Sequence, residues 1–122
     1  MTPAGSSRNE AGPPEGLVLR DLGPGDAAAA AELERAVFPG EAWSQAALTE
    51  ELSSPWATYL GFWAPSLSDG GALVAYGGIK GDLEGDLMTI GVSPTCRGRG
   101  VGRALLRELL ARARSQGMGQ LF

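Results

Sequence analysis

Seven residues, Arg97-Gly98-Arg99-Gly100-Val101-Gly102-Arg103, combine positive charge with a backbone almost free of side chains. Glycine lets the main chain approach a ligand with no Cβ in the way. The run lies between a strand-like stretch, Leu87 to Val92, and a helix pattern from Val101 to Ser115. Ser93-Pro94 breaks the strand, because proline donates nothing to a sheet ladder and turns its neighbour away from helix. The first N–H groups of a helix have no internal partner, and the helix dipole adds partial positive charge there. This arrangement suits an anion, above all a phosphate.

The spacing narrows the choice of phosphate. A dinucleotide fingerprint reads G-x-G-x-x-G, but here the glycines fall at 98, 100 and 102, and Arg103 stands in the third place. A Walker loop needs lysine and a hydroxyl residue after its last glycine, and neither follows Gly102. What fits is Arg-x-x-Gly-x-Gly: Arg97, Gly100, Gly102. The alternative is a tight glycine-rich turn from strand to helix with no ligand.

Other chemistry is limited by what the chain lacks. It has no histidine, so imidazole cannot serve as a base, and with a single cysteine a metal site is poorly supported. Cys96, just before Arg97, reads as a small filler residue, and no intrachain disulfide can form. The net charge of −4 argues against a general affinity for nucleic acid or membrane phosphates. The basic residues are nine arginines and Lys80, and six of these ten lie between Arg97 and Arg114, so positive charge is local to the loop. At 122 residues the chain is one domain at most. No apolar run is long enough for a membrane span, and the start lacks the pattern of a signal peptide, so the expected location is cytoplasmic.

The elements that must position the loop follow from periodicity. Residues 1–16 are rich in Gly, Pro and Ser without apolar periodicity and read as a disordered lead-in. Leu17 to Arg20 is a short strand and Leu22 to Asp26 a turn, with Asp26 as N-cap for a helix from Ala27 to Val37. Ala30, Leu33, Glu34 and Val37 recur there at helical spacing. Phe38-Pro39-Gly40 ends that helix, and Ser44 caps a second from Gln45 to Leu52. Three strands follow, Thr58 to Ala64, Ala72 to Lys80 and Asp86 to Val92, joined by a polar hairpin loop over 65–71 and a turn over 81–85. In the last helix Val101, Leu105 and Leu109 form an apolar row, widened by Ala104, Leu106, Leu110 and Ala113. Glu108 is spaced to pair with Arg112, while Arg107, Arg112 and Arg114 read as a solvated face. Gly117 stops the helix, and a further strand starts over 118–122.

This order, with the Arg97–Arg103 loop, resembles the GNAT acyl-coenzyme A transferases. Glu34 with Phe38-Pro39, then Trp43-Ser44, then Thr89 to Pro94, are similar to the RimI-type ribosomal-protein alanine N-acetyltransferases. The resemblance spans residues 17–122. It implies an α/β fold with a mixed sheet and flanking helices, and acetyl-CoA as acyl donor without a metal. It also implies a primary amine as acceptor, first of all a protein N-terminus. The backbone of Ile90, Gly91 and Val92 would pair with the pantetheine amides as an added strand does. The amides of Gly98 to Arg103, with Arg97 and Arg103, would hold the pyrophosphate. Gly91 reads either as a bulge that opens the strand edge or as packing space beneath a helix. Phe38, Trp43 and Trp56 read as core or lid packing or as acceptor contacts, with Trp43 and Phe38 the better candidates for a groove.

Direct attack of an amine on a thioester calls for a base, an acid and an oxyanion donor. The resemblance places the RimI-type base and acid beyond Phe122, so a domain lacking its C-terminal strands is expected, with an open sheet edge prone to self-association. Other branches keep a carboxylate on the fourth strand, which maps to Asp86, and less well to Glu84. Both also read as ordinary turn carboxylates. Three functions stay open: a protein N-terminal acetyltransferase, a small-amine acetyltransferase acting on a polyamine or aminoglycoside, and a non-catalytic acyl-CoA-binding fragment.

Overall fold

The computed structural model describes residues 13–67 and 70–122. The expected disordered lead-in over 1–16 lies outside the described residues up to position 12, as do Ser68 and Asp69 of the expected hairpin loop. Five strands form one sheet in sequence order: β1 (Val18–Leu22), β2 (Ala57–Ala64), β3 (Ala72–Gly81), β4 (Glu84–Val92) and β5 (Gln120–Leu121). Neighbours through β4 are antiparallel, and β5 joins β4 in parallel. Three helices flank it: α1 (Ala27–Val37), α2 (Gln45–Leu52) and α3 (Val101–Ser115). No helix among the described residues is long and apolar enough to cross a membrane.

Side chains alternate across a strand, so each strand serves two cores. Leu60, Phe62 and Ala64 of β2, with Val74 and Ile79 of β3, pack against Val101, Ala104, Leu105, Leu109 and Ala113 of α3. Tyr59 and Trp63 of β2 and Tyr76 of β3 turn the other way, among Ala27, Ala30, Ala31 and Leu33 of α1 and Leu48 and Leu52 of α2. The apolar face of α3 is narrower than the sequence suggests: Leu106 and Leu110 are only half-buried.

Three local expectations change. β1 runs on to Leu22, where a turn was expected, because Leu22 is buried opposite Tyr59 and continues the ladder. Asp26 precedes α1 but does not cap it with its side chain. Its carboxylate instead accepts the Gly23 N–H at 2.9 Å and closes the short 3₁₀ turn at Pro24–Asp26. Ser44 does cap α2, accepting the Ala47 N–H at 3.1 Å. Arg112 leaves both Glu108 and the solvated face: its guanidinium forks onto Asp21 of β1 at 2.8 and 2.9 Å and ties α3 to the first strand.

The bulge considered for Gly91 lies elsewhere. Gly78 faces Thr89 and Ile79 faces Leu87, so the extra residue on β4 is Met88. Gly91 stays in register opposite Tyr76, and a Cβ there would stand 3.5 Å from Val37 and Phe38. It is packing space beneath the end of α1. The bulge at Met88 matters for the sheet, since a bulge bends its strand. Hydrogen bonding between β4 and the β5 segment runs from Glu84 only as far as Leu87, whose N–H reaches the Phe122 carbonyl at 3.3 Å. Beyond Met88, β4 has β3 on one side and no strand on the other among the described residues.

Candidate active site

The open side of β4 offers polar backbone. In an antiparallel strand, successive residues direct their N–H and C=O to alternate sides. Ser93 donates inward to the Val74 carbonyl at 2.7 Å, so Val92, and Ile90 two before it, direct theirs outward. The Val92 carbonyl confirms this, for it accepts the Arg97 Nε–H at 3.2 Å from outside the sheet. Arg97 therefore folds back along the open edge of β4.

The loop then turns on two glycines in the left-handed region, Gly98 at φ 81° and Gly100 at φ 76°. A side chain at either would meet nothing within 4 Å, so backbone conformation alone demands glycine there. Gly100 is the N-cap of α3 and has no side chain with which to cap it. The N–H groups of Gly98 to Arg103 find no acceptor among the described residues, and the first amide of this run to be bonded is that of Ala104, to the Gly100 carbonyl. A row of unpaired N–H groups at a helix start, with Arg99 and Arg103 exposed beside it, fits a diphosphate in charge and donor count. Val101 gives its side chain to the core and only its N–H to this row. Cys96 is buried beneath the loop as the small filler expected.

On the opposite side of β4, Phe38 and Trp43 are brought together. With Glu34, Glu41, Met88 and Thr89 they line a hollow of about 190 Å³. Trp43 also borders a second hollow, of about 430 Å³, with Ala47, Glu50, Glu51, Ser54 and Lys80. Trp56 is exposed and borders neither. Asp86 is exposed on β4 in register with Lys80, and Glu84 is exposed at the strand's start opposite Gln120. No group of three or more His, Cys, Asp or Glu placed to hold a metal occurs among the described residues.

The polar network under α1 and α2 is not evident from spacing or motif in the sequence. The Glu34 carboxylate is buried and accepts the Trp43 N–H at 3.0 Å and the Tyr76 hydroxyl. Tyr76 stacks on Tyr59 with ring centroids 6.1 Å apart, and the Tyr59 hydroxyl reaches Glu51, which Lys80 also holds at 3.0 Å. Burial, then the neighbouring carboxylates, push both phenols far above the usual tyrosine range, so both stay hydrogen-bond donors. The available signal was Glu34 itself, a carboxylate in the apolar row of α1.

Residues 27–122 match the Acetyltransferase (GNAT) family. The chain is 42% identical over 106 residues to the N-alpha-acetyltransferase RimI of Mycobacterium tuberculosis, covering 82% of this chain and 64% of that protein. It thus spans just under two thirds of that relative's length. Among solved structures it superposes on a ribosomal-protein alanine N-acetyltransferase from Escherichia coli with a TM-score of 0.73 at 22% identity, over 86% of this chain and 64% of that one. An aminoglycoside acetyltransferase from an uncultured soil sample, in complex with sisomicin, gives 0.71 at 14% identity, over 88% and 76%. With the strand–loop–helix geometry and the family match coinciding over the same residues, the chain belongs to the GNAT acetyltransferase family.

Proposed function

We propose that this chain serves the transfer of an acetyl group from acetyl-CoA to a primary amine, in the first place the N-terminal amine of a protein, in the cytoplasm. The observation that carries the reading is the row of N–H groups from Gly98 to Arg103 with no acceptor among the described residues, beside the backbone of Ile90 and Val92 that faces away from β3. In this reading those amides and Arg103 hold the pyrophosphate, while Ile90 and Val92 hold the pantetheine amides as an added strand would. Arg97 lies along the same edge and gives up the Val92 carbonyl to the ligand. An outward N–H on β4 would take the charge that develops on the thioester oxygen. The amine nitrogen attacks the carbonyl carbon, the C–S bond breaks, the amine loses a proton and the thiolate gains one. The name of the mycobacterial relative supports the protein N-terminus as acceptor.

Calorimetric titration with acetyl-CoA tests the reading. Gly100→Val places a branched residue at φ 76°, where β-branched residues are strongly disfavoured, and it distorts the amide row. Affinity should fall about tenfold or more, in line with roughly 1–2 kcal/mol of left-handed strain. Equal affinity in the two proteins would sink the phosphate cradle. Acetyl-CoA should also raise the Tm and NAD should not.

Asp86 is the candidate base on this strand. It lies four residues before Ile90, about 13 Å along an extended chain. Acetyl transfer by Asp86→Asn reports on it directly: a fall of about a hundredfold assigns it proton transfer, and an unchanged rate removes it. One observation favours a second acceptor class. Four glutamates, Glu34, Glu41, Glu50 and Glu51, border the two hollows, which also suits a small polycationic amine. Competition between an alanine-initiated peptide and an aminoglycoside for the acetyl group separates the two.

A further inference from the structure

Glu34 is the one charged side chain fully buried among the described residues, at 3% exposure. A carboxyl group taken out of water must be met by donors or it costs stability. Its two donors come from outside its own helix: the Tyr76 hydroxyl from β3, and the Trp43 N–H from the loop between α1 and α2. That loop has few other ties. Phe38 N–H bonds back to the Glu34 carbonyl at 2.7 Å, Glu41 N–H to the Phe38 carbonyl at 3.0 Å, and Gly40 turns at φ 86°. Among the described residues, the bond from Trp43 to the Glu34 carboxylate is what joins the second half of the loop to α1.

Trp43 borders both hollows, the one beside Met88 and Thr89 of β4 and the one beside Ala47, Glu50 and Lys80. It is the residue the two hollows share, 39% exposed, with its backbone N–H held by Glu34. From this geometry we propose that Glu34 is a positioning residue, which acts through the Trp43 amide to fix the residue shared by the two hollows, against which the acceptor's amine-bearing end lies. The proposal rests on the reading of these hollows as the acceptor side. Tyr76 holds the other carboxylate oxygen and sets the direction of the first. Gln at position 34 can still accept from Trp43 and donate its amide to the Tyr76 oxygen, whereas Ala can do neither.

The experiment compares wild type, Glu34→Ala, Glu34→Gln, Trp43→Ala and the Glu34→Ala/Trp43→Ala pair. Hydrogen exchange at the Trp43 amide should speed up about tenfold in Glu34→Ala, as loss of one charge-assisted bond implies, and stay near wild type in Glu34→Gln. An alanine-initiated peptide, titrated into each protein in the presence of CoA, should bind about tenfold more weakly to Glu34→Ala and to Trp43→Ala. The pair should lose no more than Trp43→Ala alone, and CoA affinity should stay within about twofold throughout. Unchanged Trp43 exchange in Glu34→Ala overturns the proposal, and so do additive losses in the pair. Should Glu34→Ala fail to fold, Glu34→Asp, one methylene short of the amide, replaces it with the same expectations. If wild type binds no CoA, the proposed function fails, while the exchange measurement still decides whether Glu34 holds Trp43.

Discussion

The two faces of the sheet are built on different principles. Under α3 the contacts are apolar: Leu60, Phe62 and Ile79 from the strands meet Leu105 and Leu109, with no charged group among them. Under α1 and α2 the core is threaded by hydroxyls and carboxylates, from Glu34 through Tyr76 and Tyr59 to Glu51 and Lys80. The first face has a fixed platform to supply, because Val101 anchors the start of the helix whose N–H groups form the candidate phosphate site. The second face carries directional bonds to a loop, and those bonds set a position more finely than packing does. Apolar burial resists displacement of α3. A hydrogen-bonded network can instead lose one bond and release one segment.

The comparison is broken most severely on the apolar face. Leu105 and Leu109 are wholly buried, so Leu→Ala at either should cost about 2–5 kcal/mol. Thermal unfolding should show a Tm lower by roughly 10 °C. Acetyl-CoA binding should weaken along with it, since the loop rests on this helix. A smaller loss is expected from Gly78→Ala on the other face, where an added Cβ would run into the Tyr59 ring. Overpacking of this kind costs about 1–3 kcal/mol. It should loosen the tyrosine pair and α2 while leaving acetyl-CoA affinity near wild type. Equal damage to acetyl-CoA binding from both variants would show that the faces are not independent.

How much of this was legible depended on whether the signal was local. The bounds of α1, α2 and α3 follow from spacing and from the residues that stop each helix, and the structure keeps them. The Arg97–Gly102 pattern placed the loop between strand and helix because glycine demand and helix start are both local properties. The bulge at Met88 was not legible: it is a mismatch between two strands, and nothing in β4 alone marks it. The fork from Arg112 to Asp21 joins residues 91 apart, so a rule about neighbours four apart could only offer Glu108. Glu34 was visible as part of the α1 row, but what it binds depends on the loop and β3 arriving together. Asp26 shows the opposite case, where a residue of the right type caps the turn before the helix instead of the helix.

Alkaline titration sharpens the contrast further. The chain has two tyrosines, and both lie in the polar core. Their folded pKa values are raised by burial and carboxylate neighbours above the unfolded value of 10.0. The unfolded chain therefore releases protons that the folded one keeps, and stability falls as pH rises past about 10. Tyrosinate absorbance should stay silent until the fold opens, then appear in a single step together with the loss of far-ultraviolet ellipticity. A gradual rise near pH 10 with the fold intact would mean that the polar core is open to water.

The smallest effect belongs to the link between β1 and α3, outside both cores. The Arg112 guanidinium, bonded to both carboxylate oxygens of Asp21, holds that carboxyl below its ordinary value of 3.8, although burial opposes it. A depressed folded pKa stabilises the fold above the unfolded pKa, and the benefit is lost as pH falls through the folded value. The window is thus below about pH 4. Because the Asp21 side chain is 64% exposed, solvent screens the pair and its worth is at most about 1 kcal/mol. Asp21→Asn and Arg112→Gln should each lower the Tm at pH 7 by a few degrees at most, and less in high salt. Their deficit relative to wild type should shrink as pH falls below the ordinary value of 3.8 and vanish once wild-type Asp21 has taken up its proton. A deficit that persists undiminished in acid and in salt would assign the contact to packing of the arginine stem on β1 rather than to charge.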